Sequence, residues 1–211
     1  MLETKSELAG AFIGDGHSFN YKRKDRPHYR KGICFTGDIE KEKSYFQYLS
    51  NHLQHLFDVK SYIYKVKERS KGCLRLYLKS DEVYQDFVSN GLIPKNKVPD
   101  WVIPKEFIRG VFDTDGCVYK HSDGHMEINF KGKQHWLIEW IHSKLPFLGI
   151  KVGRLCPAQN NQLRFRICGK QNIINFFDII SPANIKHQLR FKKYLSTGET
   201  AKGSQSRIAQ F

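Results

Sequence analysis

The sequence predicts an α+β protein built from two pseudo-symmetric halves, each with the element order αββαββα and an antiparallel β-sheet. Three observations carry this. The stretch "ELAGAFIGDGHSF" at residues 7–19 returns as "FIRGVFDTDGCVY" at residues 107–119, with Gly10, Asp15 and Gly16 matched by Gly110, Asp115 and Gly116. After each copy the chain runs through a hairpin, a helix, a second hairpin and a second helix. The strands of both halves alternate apolar and polar residues.

Thr4-Lys5-Ser6-Glu7 has the S/T-x-x-E form of a capping box and predicts a helix starting near Thr4. Leu8, Ala9, Phe12 and Ile13 carry it to Asp15-Gly16, where glycine is expected in the left-handed cap. The second copy starts at Ile103-Pro104, with proline suited to a first helical turn, and ends at Asp115-Gly116. Asp25-Arg26-Pro27 marks a hairpin turn, and Asp123-Gly124 marks its counterpart. Tyr45, Phe46, Leu49, Leu53 and Leu56 are spaced three and four apart, as on an amphipathic helix. Second hairpins turn near residues 70–72 and 157–161, and a short helix comes after each. The proline-rich "LIPKNKVPDWVIPKE" joins the halves, and "NIKHQLRFKKYL" adds a last helix. The expected organisation is a first half at 1–95, a linker at 96–104, a second half at 105–195 and a loose tail at 196–211.

Alternation gives the sheets two unlike faces. Leu74, Leu76 and Leu78 oppose Arg75, Tyr77 and Lys79; Leu163, Phe165 and Ile167 oppose Arg164 and Arg166; Ile128 and Phe130 oppose Glu127, Asn129 and Lys131. One side suits a helix layer, and the other is polar and mostly basic. Lys and Arg total 35 against 21 acids, a formal net charge of +14. Both halves are basic, which points to a polyanion partner, since each neutralised phosphate releases counterions. No apolar run is long enough to span a membrane, and the N-terminus lacks the pattern of a signal peptide. Five scattered cysteines with no C-x-x-C argue against a disulfide framework or zinc site and fit a reducing intracellular setting, cytoplasm or organelle matrix.

The repeated Asp-Gly places an aspartate twice at a helix C-terminus, where the dipole disfavours negative charge. A compensating cation is expected, and carboxylates with backbone oxygens suit Mg2+. Gly10 and Gly14 are four apart on one helix face, as are Gly110 and Thr114. Small residues at that spacing let two helix backbones approach, which would bring Asp15 and Asp115 to the same phosphates.

"LAGAFIGDG" (residues 8–16) and "IRGVFDTDG" (residues 108–116) resemble the two namesake motifs of single-chain LAGLIDADG homing endonucleases. The resemblance covers about residues 4–195. It implies two halves packed through the motif helices, each with a saddle-like sheet on DNA. It also implies a monomeric site-specific endonuclease that makes a staggered double-strand break in a long double-stranded DNA target. Mg2+ or Mn2+ would serve, Ca2+ binding without supporting cleavage. The metal ligands implied are Asp15 with the Gly14 carbonyl and Asp115 with the Thr114 carbonyl. Lys133 is the expected water-organising or phosphate-stabilising residue of the second half, and the region of Asp38 and Lys41 its equivalent in the first. Asp113, at the position where the first copy has Ile13, is expected to be a helix-end or structural residue rather than a required ligand. Base contacts are expected from Arg23, Arg30, Lys65, Lys67, Arg75 and Tyr77 in the first half. Lys131, Arg154, Gln162, Arg164 and Arg166 are their counterparts in the second. Lys22, Lys24 and Lys71, near hairpin turns, are expected on phosphates.

Other readings fit less well. "VFDTDGCV" has the D-x-D form of haloacid-dehalogenase-like phosphatases but lacks the apolar strand before it, and an EF-hand loop would need further acids. The alternative function is a nucleic-acid-binding member of the same family, inactive or bifunctional, acting as an RNA maturase or regulator; loss of either aspartate would favour it, and both are present.

Overall fold

A computed structural model describes residues 1–22, 29–66, 72–122 and 124–196. The element order is α1 (Leu2–Asp15), β1 (Gly16–Lys22), β2 (Tyr29–Asp38), α2 (Lys43–Phe57), β3 (Tyr62–Val66), β4 (Cys73–Lys79) and α3 (Asp81–Ser89). The second half continues with α4 (Pro104–Asp115), β5 (Cys117–Lys120), β6 (Met126–Gly132), α5 (His135–Lys144), a 3-10 turn (Leu145–Leu148), β7 (Cys156–Ala158), β8 (Gln162–Cys168), α6 (Lys170–Ile180) and α7 (Ile185–Ser196). The strands form two antiparallel sheets of like topology, β1-β2-β4-β3 and β5-β6-β8-β7. The α+β class and its duplicated architecture are as the sequence predicts.

The helices α1 and α4 touch backbone to backbone. A methyl group on Gly10 would overlap the Phe107 carbonyl, and one on Gly110 would overlap the Glu7 carbonyl. Residues 6–13 of α1 are accordingly buried all round, because α4 covers one side and the first half's own core the other. Each motif helix sends a phenylalanine into the same place in its half. Phe12 meets Phe35 and Phe87 at ring separations of 6.2 and 4.8 Å, and Phe112 meets Phe130 and Phe176 at 5.6 and 4.8 Å. The predicted apolar rows, Leu74-Leu76-Leu78 and Ile128-Phe130 with Phe165-Ile167, are buried beneath the helices.

Two local expectations are corrected. The helix starts at Leu2 with no side-chain cap, so Thr4 and Glu7 form no capping box. Glu7 is buried between the halves instead, accepting hydrogen bonds from Tyr48 Oη (2.9 Å) and Arg109 Nη1 (3.2 Å). Ser6 Oγ accepts the Ile103 N–H at the start of α4. Tertiary partners outcompete the local cap. Nor do Gly16 and Gly116 take the left-handed cap: both are extended (φ −71° and −68°), so each helix turns straight into a strand. A Cβ at either would run into the Phe12 or Phe112 ring. The expected turns at residues 25–27 and 70–71, position 123 and the tail beyond 196 lie outside the described residues.

Candidate active site and nucleic-acid interface

The close approach of α1 and α4 brings their C-terminal ends together. A methyl on Gly14 would overlap Thr114 Oγ1 and stand 3.3 Å from Asp115 Oδ2. Burial, the neighbouring Asp115 charge and the Glu42 charge push the Asp15 carboxyl up to about 7, with Lys186 and Lys95 pulling the other way. Asp115 is open to solvent on one side, yet the protein around it still raises its carboxyl, again against Lys95 and Lys186. Two carboxylates thus share one small volume.

Protein cations occupy the helix ends where charge compensation is expected. Lys95 Nζ donates to the carbonyls of Ile13 (3.0 Å), Gly14 (3.3 Å) and Gly16, and lies 4.8 Å from the centre of the Phe12 ring. Burial brings its ammonium down to about 8. Lys186 Nζ donates to the Thr114 carbonyl (3.3 Å) and to Glu42 Oε1 (2.6 Å). Both carbonyls expected as metal ligands therefore also accept from a lysine. Neither lysine stands out in the sequence, since Lys95 shares its loop with Lys97 and Lys186 is one of several basic residues of α7. The available signal is position: each lies six residues past the end of its half's short helix, Ser89 or Ile180.

Lys133 lies where β6 leaves the sheet. With Lys131, Gln134, Gln162, Gly14 and Asp115 it lines a cavity of about 320 Å3. The equivalent place in the first half is acidic. Asp38 accepts the backbone N–H groups of Glu40 and Lys41, which hold its carboxyl below the usual range, and pairs with Lys41 at 3.6 Å. Glu42, the buried residue before α2, accepts from Asp38 N, Lys186 and Asn184. Asp113 is fully buried and accepts the N–H groups of Ala183 (2.8 Å) and Asn184 (3.1 Å), anchoring the link between α6 and α7. Its carboxyl, also pushed up to about 7 by burial, points into protein.

The ladders assign the strand residues to faces. Arg75 and Tyr77 of β4, and Arg30 of β2, share the outward face of the first sheet, which carries Cys34, Thr36 and Tyr64. Lys65 sits opposite Leu74 and so falls in the core-side row at an exposed edge, while Tyr62 and Tyr64 are the outward residues of β3. Lys22 is likewise in the core-side row, at the open end of the hairpin. In the second sheet Lys131, Arg164 and Arg166 share the outward face with Asn129, and Gln162 continues it. Arg154 precedes β7 and lines a cleft with Lys151, Arg164 and Arg166. Arg75 Nε and Asn129 Oδ1 are shielded with no partner among the described residues. Arg23, Lys24, Lys67 and Lys71 lie outside those residues. The described cysteines are all free, and among the described residues no helix is long and apolar enough to cross a membrane.

Residues 103–181 match the family model described as a LAGLIDADG-like domain. A comparison with curated proteins gives no match. Among solved structures, mesophilic variants of the homing endonuclease I-DmoI share 24% identity over 85% of this chain and 96% of theirs, with a TM-score of 0.61. I-DmoI in complex with DNA and Mn gives 22% identity, the same coverages and a TM-score of 0.61. The LAGLIDADG homing endonuclease I-GzeII in complex with its DNA target gives 13% over 90% and 88%, with a TM-score of 0.59. The fold is that of the single-chain LAGLIDADG proteins. Residues 103–181 form a LAGLIDADG-like domain, and the first half repeats its architecture around a second motif helix.

Proposed function

We propose that the chain is a site-specific homing endonuclease that hydrolyses one phosphodiester on each strand of a long DNA target, leaving a staggered double-strand break. The observation that carries this reading is the pairing of Asp15 and Asp115 on helix ends in backbone contact, flanked by sheets whose outward faces bear arginine, lysine and tyrosine. Each half, 1–95 and 105–195, would grip one half-site through its sheet, with the phosphates meeting the basic residues. The same two-motif chain supplies both carboxylates, so a monomer suffices.

The donor set fits a divalent ion. Asp15 and Asp115 would supply two carboxylates, leaving the other positions to phosphate and water oxygens, since among the described residues no group of three or more His, Cys, Asp or Glu could hold a metal. That is the usual manner of Mg2+, which keeps several waters and takes one or two carboxylates. Crystal structures exist of I-DmoI with DNA and Mn and with DNA and Ca, and of a variant of it with target DNA in the presence of Mg. Here Asp15 and Asp115, with the Gly14 and Thr114 carbonyls, would hold the ion. When bound it activates water and steadies the leaving oxygen. Lys133 would meet the phosphate from the second sheet, and Lys95 and Lys186 offset negative charge beneath the carboxylates.

The test is direct. Asp15→Asn and Asp115→Asn should each abolish double-strand cleavage of a selected target while gel-shift binding stays largely intact. Wild-type cutting by either variant in magnesium would sink the assignment. Binding should also weaken steeply with salt, and a flat response would exclude phosphate-dominated contact.

A further inference from the structure

We propose that the two sheets read their half-sites by different chemistry, the first by apolar contact with thymine methyl groups and the second by arginine hydrogen bonds to guanine. The proposal rests on the endonuclease reading above and specifies which bases its site prefers.

The outward face of the first sheet is an aromatic slab. Phe19, Tyr21, Tyr62, Tyr64 and Tyr77 all fall in its outward rows. Phe19 lies across Gly32, where a Cβ would come within 2.6 Å of the ring, and stacks on Tyr77 with centroids 4.8 Å apart and planes 6° from parallel. Tyr21 leans on Phe19 at 6.1 Å, and Tyr64 meets Tyr77 edge-on at 6.4 Å. Arg30 stands opposite Tyr21 and Arg75 opposite Tyr64 in the ladders, so the cations of this face are set among rings. The packed rings of Phe19, Tyr21, Tyr64 and Tyr77 make ring carbon a large part of what this surface presents. On the major-groove edge of DNA the C5-methyl of thymine is the apolar group that such a surface can recognise.

The second sheet presents its donors without an aromatic slab around them. Lys131 stands directly opposite Arg164 in the ladder, a like-charge pair that costs free energy without an acceptor from outside. Arg166 lies opposite Asn129, whose Oδ1 has no partner among the described residues, and is only loosely held by Glu127 at 3.4 Å. Tyr119 is the one aromatic residue in the outward rows of its described strands. Arginine donates two parallel hydrogen bonds to guanine O6 and N7, and this surface is arranged for that contact.

The experiment uses the intact chain and base analogues. A target is selected from a randomised library, and then thymines become deoxyuridine, or guanines 7-deazaguanine, in one half-site at a time. Dissociation constants are measured without magnesium. One half-site should lose about fourfold in affinity per contacted methyl removed, the free energy of one buried methyl-sized group. The other should lose about tenfold per guanine N7 removed. Phe19→Ala should erase only the deoxyuridine response, and Arg164→Ala only the 7-deazaguanine response. Equal responses from both half-sites, or an unchanged deoxyuridine response in Phe19→Ala, overturn the proposal while leaving the nuclease reading intact. A chain that neither selects nor cuts any duplex overturns both.

Discussion

The two halves agree where their helices and cores touch and disagree around the carboxylates. Phe35 and Phe130 occupy equivalent ladder positions beside the two motif helices, and the chain continues as Thr36-Gly37-Asp38 in one half and Lys131-Gly132-Lys133 in the other. Glu42 and Gln134, the residues just before α2 and α5, differ in the same sense. Packing ties α1 to α4 reciprocally, so a change in one glycine would need a matching change across the contact. Beside the carboxylates the two halves differ, one side acidic and the other basic, and Glu42 of the acidic side is itself tied across the halves to Lys186.

The agreement is the part with the largest expected effect. Gly10→Ala and Gly110→Ala each force a methyl into a carbonyl of the opposite helix and should destabilise the fold by about 3 kcal/mol, read by urea denaturation. Gly14→Ala meets the movable Thr114 hydroxyl instead and should cost less. If all three cost the same, the backbone contact is not what holds the halves. The disagreement is probed next. Lys133→Met should slow cleavage of one strand by about 100-fold, the usual loss of a charge-stabilising donor, whereas Asp38→Ala should change either strand by less than about threefold. Strand-specific end-labelling distinguishes them, and equal effects would mean the two sites work alike.

The smallest effect is on pH dependence. The Asp15 and Asp113 carboxyls titrate near 7 in the fold, against an ordinary value of 3.8. Their contribution to stability is fully present below pH 3.8 and is lost as pH rises through 7, because the unfolded chain releases those protons first. His187, buried and held down to about 3, acts oppositely: its contribution is present above its ordinary 6.5 and is lost as pH falls towards 3. In the metal-free protein, Asp15→Asn should reduce the fall in melting temperature between pH 5 and 8, and an unchanged slope would show that Asp15 is not buried enough to matter.

Much of this was legible in the sequence because it repeats or alternates. Gly10 with Gly110, Asp15 with Asp115, and the leucine and arginine rows are patterns that a single chain displays. Lys95, Lys186 and Glu42 were not legible, since each acts through a partner far along the chain: Lys186 reaches Glu42 across 144 positions. Thr4 to Glu7 misled for the same reason, because Glu7 answers to Arg109 and Tyr48 rather than to its own helix.

The pair of Glu42 and Lys186, joined by Asn184 to Asp113, has a bearing on protein engineering. Hybrids that graft one half onto a foreign partner would strand a shielded acid or ammonium at the seam, at a cost of about 3 kcal/mol or more. Recombining such chains therefore calls for moving residues 42, 184 and 186 together, along with Glu7 and Arg109, whatever targets the donors recognise.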